Sequence, residues 1–235
     1  ENKDDRTQIE KVIKSDDNIN INIIVKESEF NNTIINDGGA IHLVNCGIKC
    51  EKTVFNECIS NKGGGGAIYV KNPYELENNV VFKGLTFNDC KADYSGAAFV
   101  YSSSIKNEVN FISCKFNNNV ASIVETEDGF YDGSAIFLSA AAGIIKRCVF
   151  INNSVKVTNN NADDESYINS KTLLNQDRYL ISDCTFYISK DLKNSLFYCG
   201  YASGTSLEIK SCIFDGELGN DSHFIDIRYW RKVHQ

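Results

Sequence analysis

Seven phenylalanines hold one position in a repeated phrase: Phe30, Phe55, Phe87, Phe116, Phe150, Phe186 and Phe214. Five residues before them stand Val25, Cys50, Phe82, Phe111, Ile145, Ile181 and Ile209. Seven residues before stand Ile23, Ile48, Val80, Val109, Gly143, Tyr179 and Leu207. With 42% of the chain apolar, seven apolar hits out of seven at the nearer position would arise by chance roughly twice in a thousand. A repeat of this length means stacked supersecondary units. The anchors lie 25, 32, 29, 34, 36 and 28 residues apart. Helical repeats rarely tolerate an insertion in every unit, whereas a coil with loops at its corners does. Inside each phrase the apolar residues alternate, as in Val80-Val81-Phe82-Lys83 and Leu85-Thr86-Phe87, which is the period of a strand.

A second phrase follows each anchor. It reads Gly38-Gly39-Ala40-Ile41, Gly65-Gly66-Ala67-Ile68, Ser95-Gly96-Ala97-Ala98 and Gly133-Ser134-Ala135-Ile136, and it loses its glycines at Leu196-Phe197 and Phe224-Ile225. Each unit thus supplies at least two short strands joined by corners, where glycine permits a close approach to the coil beneath. Like strands stacked on like strands give an all-β, single-domain, right-handed parallel β-helix of about seven coils, right-handed being the usual hand of parallel crossovers. The expected boundaries are 1–18 for an N-terminal cap or disordered end and 19–235 for the β-helix. Ile9, Val12 and Ile13, at helical spacing, predict a short amphipathic capping helix over residues 5–14, placed to cover the first coil's open edge.

The pairing of GGAI (38–41 and 65–68) with FxxN (Phe116–Asn119 and Phe150–Asn153) resembles the repeat signature of the chlamydial polymorphic membrane proteins and similar protist surface proteins. The resemblance spans roughly residues 23–155. It implies an extracellular β-helical passenger domain with an adhesive role. The membrane-anchoring β-barrel of the bacterial family is absent from this sequence.

A net charge of −7 repels nucleic acid and anionic lipid, so neither is an expected partner. No apolar run approaches the ~20 residues of a membrane span, so direct membrane insertion by this segment is not expected. Starting at Glu1 without a single Met, the chain reads as processed, or as part of a longer anchored chain. Nine cysteines are an odd number, and Cys114, Cys148, Cys184 and Cys212 fall in one inward column, two residues before the Phe. That column reads as a free-thiol ladder rather than vertical bridges, because its side chains run parallel. Cys58 and Cys90 share another column, three residues past the Phe. Cys46 and Cys50 are the expected disulfide candidates. Zinc-ligand spacing is absent, and no metal or cofactor is expected.

β-Helix enzymes commonly act on acidic polysaccharides through stacked carboxylates or a basic residue. The column four before the Phe (Lys26, Glu51, Lys83, Ile112, Lys146, Ser182, Lys210) is basic but broken. The column three before it (Glu27, Lys52, Gly84, Ser113, Arg147, Asp183, Ser211) alternates in charge, as a solvated face does. No paired carboxylates stand out at the separation a glycosidase needs. His42, His223 and His234 do not converge. Asp163-Asp164-Glu165 reads as part of a flexible loop within 156–178.

The outward column of the Gly-Ala strand is more informative: His42, Tyr69, Phe99, Phe137, Tyr198 and Asp226, with Tyr101 beside it. Outward positions should be polar. Three readings stay open: rings stacking to hold the register, an aromatic platform for sugar rings or a partner surface, and a satellite core covered by insertions 71–79 or 122–132. Tyr69, Phe99, Tyr101, Phe137 and Tyr198 are therefore the candidate ligand-binding residues. Sequons at Asn31, Asn152 and Asn220 are glycosylation candidates.

The expected function is that of a non-catalytic extracellular or cell-surface β-helix: an adhesin or surface structural protein. It would bind a glycan or cell-surface protein through the aromatic strip and loops. The alternative is a β-helix lyase or hydrolase of acidic polysaccharides, and a third idea is end-to-end assembly into filaments.

Overall fold

The structure is a computed structural model and describes residues 13–14, 21–72, 79–102, 107–123, 134–139, 142–157, 172–174, 178–188, 197–201, 206–217 and 225–229. Every regular element among them is a strand, and every strand pairing is parallel between successive coils. The molecule is a parallel β-solenoid.

Each coil runs through up to four faces. Face I holds Ile21–Lys26, Cys46–Glu51, Val80–Lys83, Glu108–Ile112, Ala142–Lys146, Arg178–Ser182 and Ser206–Lys210, seven strands in coil order. Face II carries the anchors on Glu29–Asn31, Val54–Asn56, Thr86–Asn88, Lys115–Asn117, Val149–Ile151, Thr185–Ile188 and Ile213–Gly216, again seven strands. Face III is shorter: Ile34–Ile35, Ile59–Ser60, Lys91–Ala92, Val120–Ile123 and Ser154–Val157. Face IV is the Gly-Ala strand and forms two sheets. One joins Ile13–Lys14, Ile41–Val44, Ile68–Asn72, Ala98–Ser102 and Ile136–Ser139, and the other joins Thr172–Leu174, Phe197–Tyr201 and Ile225–Tyr229. Five coils therefore have all four faces. The sixth and seventh have no face III strand among the described residues, so complete turns number about five rather than seven.

The Phe column is one continuous file. Phe30 pairs with Phe55, then Phe87, Phe116, Phe150, Phe186 and Phe214. Ring centroids are 5.2, 5.0, 4.9, 4.8, 4.8 and 5.2 Å apart, with planes within 9° of parallel. The rungs themselves lie about 4.8 Å apart, so the file adopts the backbone's own repeat. Phe82, Phe111, Ile48, Ile68 and Val100 fill the space between faces I, II and IV, all essentially solvent-free. The inward residues of the first and last described rungs (Ile23, Val25 and Phe30 at one end, Leu207, Ile209 and Phe214 at the other) are only partly buried.

Corners are left-handed. All seven residues three before the Phe have positive φ: Glu27, Lys52, Gly84, Ser113, Arg147, Asp183 and Ser211, between 48° and 65°. That column is the bend from face I to face II, which corrects its reading as part of a strand face. Two residues after the Phe, Asn32, Glu57, Asp89, Asn118 and Asn152 bend face II into face III, with φ from 49° to 54°. In the sixth coil the same position is Ile188, which still belongs to its face II strand.

The second glycine of GGAI is required by close approach. A β-carbon at Gly39 would collide with Gly66 O, one at Gly66 with Gly96 O, and one at Gly96 with Ser134 O.

Two further expectations change. Ile13–Lys14, the end of the expected capping helix, is a strand paired with Leu43 and Val44; residues 5–12 lie outside the described residues. The 156–178 segment, expected as a loop, contributes Thr172–Leu174 to face IV.

Candidate functional site

The aromatic column forms as a column, but not on the open surface. His42 pairs with Tyr69, Tyr69 with Phe99, and Phe99 with Phe137. Successive centroids lie 4.8, 4.8 and 4.7 Å apart, and the Tyr69, Phe99 and Phe137 rings are within 8° of parallel. Phe137 is 0% exposed, and Tyr69 and Phe99 are nearly as deep. Tyr94 meets Phe99 edge-on at 5.4 Å, and half-buried Tyr101 packs alongside. Of the three readings the sequence leaves open, the burial fits a satellite core and not an open platform. Four bare stacked rings would leave a large apolar area in water, and burial removes that cost. Tyr198 does not continue the file. Its strand belongs to the other face IV sheet, with Thr172–Leu174 between it and the Phe137 strand; its side chain lies outside the described residues.

Below this column is a polar group that the sequence reading missed. Asp37 Oδ1 accepts the Gly64 N–H at 3.2 Å, and Asp93 Oδ2 accepts the Gly63 N–H at 3.0 Å. His42 Nδ1 is 3.0 Å from Asp37 O, and its ring stacks on Tyr69. Partial burial raises the Asp37 carboxyl above its ordinary value of 3.8, against the opposing effects of the Gly64 amide, His42 and Lys71. Asp37 and Asp93 belong to the first and third coils, so their backbones are about 9.6 Å apart. The anchors are 32 residues apart here and the corners differ in length, so no column counted from the Phe aligns them.

Among the described residues eight cysteines are free: Cys46, Cys50, Cys58, Cys90, Cys114, Cys148, Cys184 and Cys212. The expected Cys46–Cys50 pair is excluded by geometry. Both lie on the strand Cys46–Glu51, four residues and about 13 Å apart along it, beyond disulfide reach. Burial pushes the Cys50 thiol up to about 11. The two cysteine columns line the inner side of the corners, where each thiol donates to a carbonyl of the coil below. Cys114, Cys148, Cys184 and Cys212 donate to Phe82 O, Phe111 O, Ile145 O and Ile181 O at 3.7, 3.4, 3.5 and 3.7 Å. In the other corner Cys58 and Cys90 donate to Phe30 O and Phe55 O at 3.6 and 3.7 Å. Asn119 and Asn153, the FxxN asparagines, continue that column and donate to Phe87 O and Phe116 O at 3.2 and 3.1 Å.

On the outside of face II a second amide file runs up the solenoid. Asn56 donates to Asn31 at 2.8 Å, Asn88 to Asn56 at 2.8 Å, and Asn117 to Asn88 at 3.4 Å. Above it the same surface becomes more apolar, interrupted by Thr185 and by exposed Asp215. Val149, Thr185 and Ile213 share one column, and Ile151, Tyr187 and Asp215 share the next. Tyr187 is 43% exposed and Ile213 61%. The residues flanking each Phe were the available signal for this surface.

Asn31 is exposed on its face II strand, Asn152 is exposed at a corner, and Asn220 lies outside the described residues, as do His223, His234 and the 163–165 acidic cluster. Among the described residues no helix is long and apolar enough to cross a membrane. No protein-family description, curated protein or solved structure matches the chain.

Proposed function

We propose that this solenoid is a non-catalytic module of a secreted or cell-surface protein, similar in kind to the passenger domains of polymorphic membrane proteins. It serves as an adhesin or surface structural element that holds a glycan or a protein partner. The observation that carries this reading is the outer surface of face II. Its amide file, Asn31, Asn56, Asn88 and Asn117, repeats one hydrogen-bonding group per rung and runs into the exposed apolar group around Tyr187 and Ile213. A regular surface on a rigid ladder suits repeated shallow contacts, whose affinities multiply when several are made together. The GGAI and FxxN residues that carry the resemblance serve the winding itself, through the close approach at Gly39 and Gly66 and the buried amides of Asn119 and Asn153.

The test is binding of the purified chain to a glycan array and to epithelial cells, with Tyr187→Ala/Ile213→Ser compared with wild type. Retention of wild type and at least fivefold weaker retention of the variant supports the reading. Equal binding by both removes face II from it, and no binding to either target removes the adhesive role.

The second reading is a polysaccharide hydrolase, favoured by Asp37 and Asp93 closing on Gly63–Gly64 from either side, near His42. A glycosidase uses a pair of carboxylates facing one another across the bond it cleaves. Release of reducing ends from uronate polymers, abolished by Asp37→Asn, would favour it over adhesion.

A further inference from the structure

The thiol file two residues before the Phe occupies four successive coils, and it reaches solvent at one end. Cys114, Cys148 and Cys184 are sealed, whereas Cys212, on the last described rung of faces I and II, is half-exposed. The sulfurs keep a constant orientation. Each has two carbonyl acceptors in reach of its one proton, that of the residue two before it and one of the coil beneath: for Cys184, Ser182 O at 3.2 Å and Ile145 O at 3.5 Å; for Cys212, Lys210 O at 3.2 Å and Ile181 O at 3.7 Å. The neighbouring rung's sulfur also lies over the backbone of the one below, since Cys114 N–H and Cys148 N–H donate to the sulfurs of Cys148 and Cys184, both at 3.4 Å.

Two thiols in one column are therefore displaced by one rung, about 4.8 Å, along the solenoid axis. A disulfide would need them to turn toward each other and close to about 2.05 Å. Zn²⁺–thiolate bonds are about 2.3 Å and those of a two-coordinate Cu(I) are slightly shorter, so a linear site needs its sulfurs somewhat under about 4.6 Å apart, a few tenths of an ångström less than the rung repeat. We propose that Cys184 and Cys212 form a two-coordinate site for a soft monovalent cation of the Cu(I) type, reached through the exposed side of Cys212. Soft thiolate donors select Cu(I). Zn²⁺ demands four ligands, and no group of three or more His, Cys, Asp or Glu residues converges among the described residues. Binding releases both thiol protons: two RSH and Cu⁺ give RS–Cu–SR⁻ and two H⁺, with no change of oxidation state. The inner thiols Cys114 and Cys148 have the same spacing, but the closed corner shields them.

The experiment uses the full chain, reduced and free of oxygen, against Cu(I) presented as its complex with a chromogenic chelator. The expected result is one equivalent of copper withdrawn per chain and alkylation of Cys212 slowed at least tenfold. X-ray absorption at the copper edge should report two sulfur neighbours. Cys212→Ser, with an unchanged far-ultraviolet circular dichroism spectrum, should weaken binding at least a hundredfold. The proposal is overturned if folded wild type withdraws no copper, if Cys212→Ser binds as wild type does, or if Zn²⁺ competes at equal concentration. None of these outcomes bears on adhesion through face II.

Discussion

Asn119 and Cys90 do the same task on adjacent coils. Each sends a donor to the carbonyl of the Phe one coil below, and Cys90 N–H is in turn held by Asn119 Oδ1 at 3.1 Å. Removing the amide leaves Phe87 O and Cys90 N–H buried without their partner, a cost of about 1–3 kcal/mol for each such group. Asn119→Ala should therefore lower the unfolding free energy by about 2–4 kcal/mol, and Asn119→Cys by clearly less, since thiols already serve this column; urea denaturation measures both. Asp37 acts with the opposite sign from most carboxylates. Its pKa is raised in the folded chain, so between the ordinary value of 3.8 and the folded value the native state binds more protons than the unfolded one. Its contribution to stability is full below 3.8 and is lost as pH rises through the folded pKa. Denaturation midpoints followed against pH should show this fall in wild type and its absence in Asp37→Asn, whose amide oxygen can still accept the Gly64 N–H.

Among the elements, the corners decide where each strand stops. A non-glycine residue in the left-handed region costs roughly 1–2 kcal/mol, offset here by ladder hydrogen bonds such as Arg147 N–H to Ser182 O at 3.0 Å. Arg147 is exposed, so an ordinary surface substitution there should be nearly neutral. A β-branched residue tolerates positive φ poorly. Arg147→Ile should cost about 1–2 kcal/mol, whereas Arg147→Gly, which relieves the left-handed strain at a smaller entropic cost, should be neutral or stabilising by up to about 1 kcal/mol, read from thermal unfolding. The strands were legible because the period-two pattern and the Phe column repeat in every coil. The first corner was not, because Glu27, Lys52, Gly84, Ser113, Arg147, Asp183 and Ser211 share a conformation without sharing chemistry. The second corner carried a clearer signal. Asparagine and aspartate tolerate the left-handed region and occupy four of its five positions in the first five coils, whereas the sixth coil has Ile188, within a strand, and the seventh Gly216. The aromatic column was placed in the correct register from His42 to Phe137 and not at Tyr198, and its burial draws on side chains off the column, such as Tyr94 five residues before Phe99, which period alone does not bring there.

For the whole molecule, stability is a sum of neighbour contacts along one axis. Phe87 lies between Phe55 and Phe116 and is fully buried, whereas Phe214 has a ring neighbour in Phe186 and remains partly exposed. Phe87→Ala should cost about 3–5 kcal/mol and Phe214→Ala about half as much or less, as measured by chemical denaturation. The adhesive surface, the thiol file and the Asp37–Asp93 approach all presuppose that residues some thirty positions apart sit one rung apart. Nuclear Overhauser contacts between phenylalanine ring protons, in protein labelled only at Phe, report that spacing directly. Assigned through single Phe→Leu variants, Phe87 should show cross-peaks to Phe55 and Phe116, and Phe150 to Phe116 and Phe186. Rings of this column with no contact to the preceding and following coils would contradict the solenoid and everything built on it.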